Sequence, residues 1–273
     1  MTGPGRLRLT KHHGAGNDFL VADDPSGDLG LTGADAVVLC HRRTGIGADG
    51  LLVLGPGRAG APVSMTLFNA DGGEAEMSGN GLRCLAQAAV TAGRVAPPRF
   101  TVATGAGVLA VDYVPGEEPG SDWAEVDMGP VTLLEAPPAA PPATRARRVA
   151  VGNPHLVLLV DDPGPLDVGS LAASAAAGLA GGVNVEFISP RGDGALTLRV
   201  VERGVGETLA CGTGTVAAAA SARDWGLVGD RVTVHNPGGP LVVTLPGAPG
   251  EPARLAGPVR RVATLEVDPG LLS

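Results

Sequence analysis

Of the chain's three cysteines, Cys40, Cys84 and Cys211, only Cys211 stands where a thiol could do chemistry: it precedes Gly212-Thr213-Gly214, which leads into the alanine-rich run Thr215 to Ala222. A glycine loop opening a helix leaves backbone N–H groups unpaired at the positive end of the helix dipole. Such a loop is an anion site, and the missing side chains let a ligand approach the backbone. A thiol beside it is expected to have a depressed pKa, because the helix N-terminus stabilises thiolate. Cys211 is therefore positioned as a base or nucleophile. The same arrangement occurs earlier with an alcohol in place of the thiol, where Ser78 precedes Gly79-Asn80-Gly81 and the run Leu82 to Ala92. Asn80 and Thr213 offer further donors. Either loop alone reads as an ordinary helix start, with Ser78 as N-cap; two equivalent loops favour a paired anion site.

The loops belong to a longer repetition. Gly16-Asn17-Asp18-Phe19-Leu20-Val21 answers to Gly152-Asn153-Pro154-His155-Leu156-Val157, and Glu74 to Gly81 answers to Glu207 to Gly214. Thr101-Val102 with Gly107, Leu109 and Val111 answers to Thr233-Val234 with Gly239, Leu241 and Val243, and Gly129-Pro130 to Gly257-Pro258. Four pairs in the same order point to duplication, which must be found before any element is assigned. The pattern is strand-rich within each copy, with apolar runs at Leu51 to Leu54, Leu156 to Val160 and Leu241 to Leu245. Leu82 to Ala92 and Thr215 to Ala222 are the helix candidates, alanine-rich, free of proline and suited to burial nearly all round. The fold class is α/β (α+β). The proline-rich stretch Ala136 to Ala143 reads as a linker between copies or a surface excursion.

The 273 residues are long enough for two modest domains. With 44% apolar and 18% charged residues the chain is globular, and its 43 glycines and 24 prolines punctuate periodic runs, so they read as turns. A net charge of −8 argues against a nucleic-acid partner, which would need a basic surface. The sequence has no apolar core of signal-peptide type at Met1 to Lys11 and no run approaching the roughly 18 residues that span a bilayer. A soluble cytoplasmic protein with a small-molecule partner and no membrane partner is expected. An odd number of cysteines without metal-ligand spacing points neither to a disulfide framework nor to a zinc site.

Five segments, Lys11 to Phe19 (KHHGAGNDF), Thr44 to Gly50 (TGIGADG), Phe68 to Cys84 (FNADGGEAEMSGNGLRC), Gly152 to His155 (GNPH) and Glu202 to Gly214 (ERGVGETLACGTG), stand in order along the chain. They resemble the signature segments of the diaminopimelate epimerase family. The resemblance implies two pseudo-symmetric domains, residues 1–120 with 262–273 and residues 121–261, each a curved, mostly antiparallel sheet around a central helix, with the active site in the cleft between them. It implies a cofactor-independent isomerase of lysine biosynthesis, using neither pyridoxal phosphate nor metal, that converts LL-diaminopimelate to meso-diaminopimelate. One thiolate removes the α-proton and a thiol on the opposite face returns one. By the same resemblance Cys211 and Ser78 hold the two base positions. His155 and Glu202 assist proton transfer at the Ser78 and Cys211 sides respectively. Asn17, Asn69, Asn153, Asn184, Glu202 and Arg203 hold the amino and carboxylate groups of the amino-acid substrate, and Gly79, Asn80, Gly212 and Thr213 receive the reacting carboxylate. Arg203 suits planar bidentate carboxylate recognition. Gly50 stands where some members carry glutamine. Thr44, Asp49, Asp71 and Glu74 read as structural, Cys40 and Cys84 as small core residues, and His12 and His13 as local hydrogen-bonding groups. A homodimer is compatible with the sequence.

Serine at position 78 is the departure from the family pattern. A thiol titrates near about 8.5, within tuning range of a general base, and an alcohol lies far above it. Symmetric two-thiol exchange should be lost or severely slowed. Three readings remain: an inactivating replacement, a divergent one-base isomerase or dehydratase using Cys211, and a non-catalytic amino-acid-binding protein.

Overall fold

The computed structural model describes residues 7–135, 138–179, 181–248 and 250–272. The chain divides into two units, Met1–Val126 with Pro258–Ser273, and Asp127–Gly257.

The first unit contains β1 (Arg8–Gly14), β2 (Asn17–Asp23), α1 (Gly33–Cys40), β3 (Gly50–Arg58), β4 (Ala61–Asn69), β5 (Glu74–Ala75), α2 (Gly79–Thr91), β6 (Arg99–Thr104), β7 (Gly107–Val114) and most of β8 (Ser121–Asp127). The second follows with β9 (Thr132–Leu134), β10 (Arg145–Val151), β11 (Asn153–Leu159), α3 (Val168–Ala176), β12 (Asn184–Pro190), β13 (Leu196–Glu202), β14 (Gly206–Thr208), α4 (Gly212–Asp224), β15 (Arg231–Asn236) and β16 (Gly239–Thr244); β17 (Arg254–Glu266) then carries the chain back. In the first unit the ladder runs β17-β1-β2-β3-β4-β6-β7-β8, and β8 pairs with β17 again, so the sheet closes on itself. Neighbours are antiparallel except β2–β3 and β4–β6. The second unit repeats the pattern, with parallel pairs β11–β12 and β13–β15.

A central helix fills each sheet. Residues Gly79 to Ala89 of α2, and all of those from Gly212 to Ala222 of α4 except Thr213, are buried. Small side chains, Ala217 to Ala220 above all, let the strands close around such a helix, while each fully buried leucine such as Leu82 or Leu85 contributes roughly 1.5–3 kcal/mol. Both helices begin earlier than the alanine pattern predicts, at Gly79 and Gly212 rather than Leu82 and Thr215. The glycine segments that read as loops are the first helical turns themselves.

The proline-rich stretch is an excursion within the second unit. Its described part lies between β9 and β10, which pair with each other, while the chain passes between units at Val126 and Asp127. Ala136 and Pro137 lie outside the described residues. No helix among the described residues is long and apolar enough to cross a membrane.

Candidate active site

In the first unit Ser78 is the N-cap of α2, with extended backbone (φ −141°, ψ 125°) and an Oγ that accepts a hydrogen bond from the Gly81 N–H at 3.1 Å. The N-cap and chemical readings of Ser78 thus describe one geometry, since a capping oxygen sits where the helix N-terminus favours an anion. Asn80 is 1% exposed; its Oδ1 accepts from Arg83 Nη2 at 2.7 Å and its Nδ2 donates to Asn17 Oδ1 at 3.2 Å. These contacts take up its Oδ1 and one of its Nδ2 hydrogens. Asn17 Nδ2 donates in turn to Asp49 Oδ2 at 2.7 Å, and Arg42 joins Asp49 Oδ1 and Asp18 Oδ1, each at 2.7 Å. Asp49, read as structural, therefore holds Asn17. Asn69 ends β4, exposed and opposite Gly50.

Beneath this turn lies Arg83, fully buried, with Nη1 on the Gly79 carbonyl at 3.3 Å, Nη2 on Asn80 and, among the described residues, no partner for Nε. Burial lowers its pKa to about 10, which still leaves a cation at neutral pH. His12 is buried between Gln87 (2.7 Å) and Thr10 (2.8 Å), a hydrogen-bonding role within the fold, and Cys40 and Cys84 are core residues.

In the second unit Cys211 is the N-cap of α4, with extended backbone (φ −118°, ψ 119°), its Sγ 3.5 Å from Thr213 Oγ1. The expectation of a depressed pKa is corrected here. Burial first, then the charges of Glu202 and Glu186, push the thiol well above its ordinary value, against the smaller opposing pull of the Thr213 hydroxyl and the Gly214 N–H. At 6% exposure, desolvation outweighs the helix N-terminus.

His155 is wholly buried, with Nδ1 2.7 Å from Glu186 Oε1 and Nε2 2.8 Å from Asn153 Oδ1. Both ring nitrogens are engaged inside the second unit. Glu202 Oε1 accepts from the Thr208 hydroxyl at 2.6 Å. Asn184 Oδ1 accepts the Arg203 N–H at 2.9 Å, and Arg203 Nη1 donates to the Gly181 carbonyl at 2.6 Å. Asn184 thus shapes the backbone that presents Arg203. Gly212 is buried and Thr213 half-buried in the first turn of α4.

The ladder registers make the two halves comparable residue by residue. Gly50 and Leu52 lie opposite Phe19 and Val21 in the first, as Asn184 and Glu186 lie opposite His155 and Val157 in the second. Glu186 therefore takes the place of Leu52. A Cβ on Gly81 would lie 3.4 Å from Leu52 Cδ2, and one on Gly214 only 2.6 Å from Glu186 Oε1, so each side chain packs under its helix's first turn. Sequence reading missed Glu186. Its signal was a lone acid inside the apolar run Val185 to Ile188. Among the described residues no group of three or more His, Cys, Asp or Glu side chains could hold a metal ion.

The sequence profile described as diaminopimelate epimerase matches residues 9–134 and 148–262. The diaminopimelate epimerase of Sphingopyxis alaskensis is 40% identical over 270 residues, covering 96% of this chain and 97% of that protein, and that of Thermobifida fusca is 39% identical over 277 residues, covering 96% and 98%. Among solved structures, a PhzF-family phenazine biosynthesis protein from Bacillus anthracis superposes with a TM-score of 0.77 at 15% identity, covering 97% of this chain and 99% of that one. A hydroxyproline epimerase from Agrobacterium vitis superposes with a TM-score of 0.71 at 18% identity, covering 100% and 96%. The two structures share the fold. On the sequence matches, this chain belongs to the diaminopimelate epimerase family, a family of isomerases.

Proposed function

We propose that the protein epimerises diaminopimelate, LL to meso, by proton transfer at the α-carbon without a cofactor, in lysine biosynthesis, with Ser78 and Cys211 as the two proton-transferring groups. The observation that carries this reading is the equivalence of the two residues: each is the N-cap of a buried helix at the same place in a duplicated unit. An α-proton is weakly acidic, and its removal becomes feasible when the charge that develops on the carboxylate is stabilised by preorganised donors. The first-turn N–H groups at Gly79 and Asn80, and at Gly212 and Thr213, suit that task. Asn17, Asn69, Asn153, Asn184, Glu202 and Arg203 hold the substrate's amino and carboxylate groups, Glu202 serves proton transfer, and His155 assists it from a ring whose two nitrogens rest on Glu186 and Asn153.

Ser78 weakens the exchange at one face. Its hydroxyl is already the acceptor of the Gly81 N–H, and no carboxylate or imidazole is bonded to it among the described residues. A one-base reaction through Cys211 is therefore the second reading. Diaminopimelate in deuterated water separates the two. Negligible α-deuteration by this chain with recovery in Ser78→Cys supports two-base epimerisation; deuteration without inversion supports the one-base reaction; neither exchange nor recovery rejects both.

A further inference from the structure

Glu186 is a buried ionisable group for which the reaction above has no use. It is 0% exposed on β12, one oxygen is 2.7 Å from His155 Nδ1, and Oε2 has no hydrogen-bond partner among the described residues. The charged or titratable groups that face it are His155 from β11, Glu202 from β13 and Cys211 from α4. A buried carboxylate left half-satisfied is costly, and its equivalent in the first unit is simply Leu52, with Phe19 in the place of His155.

The proton count follows from the far end of the chain of contacts. Asn153 Oδ1 can only accept, so at 2.8 Å from it Nε2 of His155 carries a proton. Nδ1 then either accepts the O–H of a protonated Glu186 or, as part of an imidazolium, donates to its carboxylate. Both states place one proton more on the pair than an ionised glutamate beside a neutral histidine would, and both leave the pair without net charge in its dry setting. Burial raises the Glu186 pKa, in the sense that favours retention of that proton. With Oδ1 held by His155, the amide of Asn153 has its Nδ2 hydrogens left to give to a ligand. If the pair lost its proton with hydrogen left on Nδ1, Nε2 would become an acceptor, and Asn153 would have to turn its amide over and present an oxygen instead.

We propose that Glu186 is a positioning residue that, through His155, fixes the amide of Asn153 as a hydrogen-bond donor to the substrate's carboxylate. The assignment of a carboxylate to Asn153 rests on the epimerase reading; the orientation of His155 and Asn153 does not.

The test compares the full chain with Glu186→Gln, whose amide N–H can replace the acid's O–H, and Glu186→Leu, which copies the first unit. Nitrogen NMR of histidine-labelled protein, with His155 assigned by its loss in His155→Gln, reads which ring nitrogen is protonated; calorimetry reads diaminopimelate binding. The expected result is Nε2–H in wild type and Glu186→Gln with affinities within about threefold, and a loss of that signature with at least about tenfold weaker binding in Glu186→Leu, where threefold and tenfold correspond to about 0.65 and 1.4 kcal/mol. An Nδ1–H tautomer in wild type, or a Glu186→Leu protein indistinguishable from Glu186→Gln, overturns the proposal. Should Glu186→Leu fail to fold, the wild-type tautomer and its retention in Glu186→Gln still decide it. Absence of binding by every form sinks the substrate reading, while the His155 signals continue to judge the relay.

Discussion

Introducing a thiol by Ser78→Cys should create a group that ionises far more readily than Cys211, although the two stand at equivalent helix caps. At position 78 the sulfur would inherit the Gly81 N–H that Ser78 Oγ accepts at 3.1 Å. A hydrogen bond to a charged group contributes about 1.5–3 kcal/mol, and the helix N-terminus about 0.3–1 kcal/mol. The fully buried Arg83 guanidinium, bonded to the Gly79 carbonyl and Asn80 rather than to a carboxylate, adds positive potential on the same helix. Partial desolvation at this half-buried site opposes these terms. At about 1.36 kcal/mol per pKa unit, a net gain of roughly 2 kcal/mol lowers the thiol by about 1–2 units from about 8.5, so that about half is thiolate near pH 7. In the second unit Val216 replaces Arg83 and Glu186 replaces Leu52, and the Cys211 thiol is raised instead. Ultraviolet titration of thiolate, Ser78→Cys minus wild type, isolates the new group, because Cys40 and Cys84 are pushed up to about 11 and about 12. A new thiol titrating at or above the ordinary value would refute the electrostatic argument.

Cys211→Ser in the Ser78→Cys background should lower α-proton exchange by about 10²–10⁴-fold, the usual worth of a positioned base, as measured by deuterium incorporation. Gly214→Ala would press a Cβ to 2.6 Å from Glu186 Oε1, which cannot swing away from His155, whereas the nearest atom for Gly81→Ala is 3.2 Å off. Thermal melts should show Gly214→Ala destabilised by about 1–3 kcal/mol and Gly81→Ala by clearly less; equal effects would contradict the packing described. Burial holds the His12 pKa down at about 4 against an ordinary 6.5, so the unfolded chain binds the extra proton first as pH falls. That contribution to stability, about 3 kcal/mol, is present above pH 6.5 and disappears between there and about pH 4. Urea titrations across this window should show the loss, and His12→Gln should flatten it.

The duplication, the strand-and-helix pattern and the two glycine-led caps were legible in the sequence because they are local: residue types at short spacing determine where a helix can start and which N–H groups it leaves free. Ser78 and Cys211 could be paired before any coordinate was known, and Cys40 and Cys84 assigned to the core. The electrostatics were not legible. Cys211 reads as a depressed thiol from its helix alone, and only burial together with Glu202 and Glu186, brought in from β13 and β12, reverses the direction. Likewise nothing local reveals that Asn80 bonds to Arg83 and Asn17, or that Glu186 lies under the α4 turn where the other half has leucine. Those outcomes depend on desolvation and on neighbours distant in the chain, which the packing of each sheet around its helix decides.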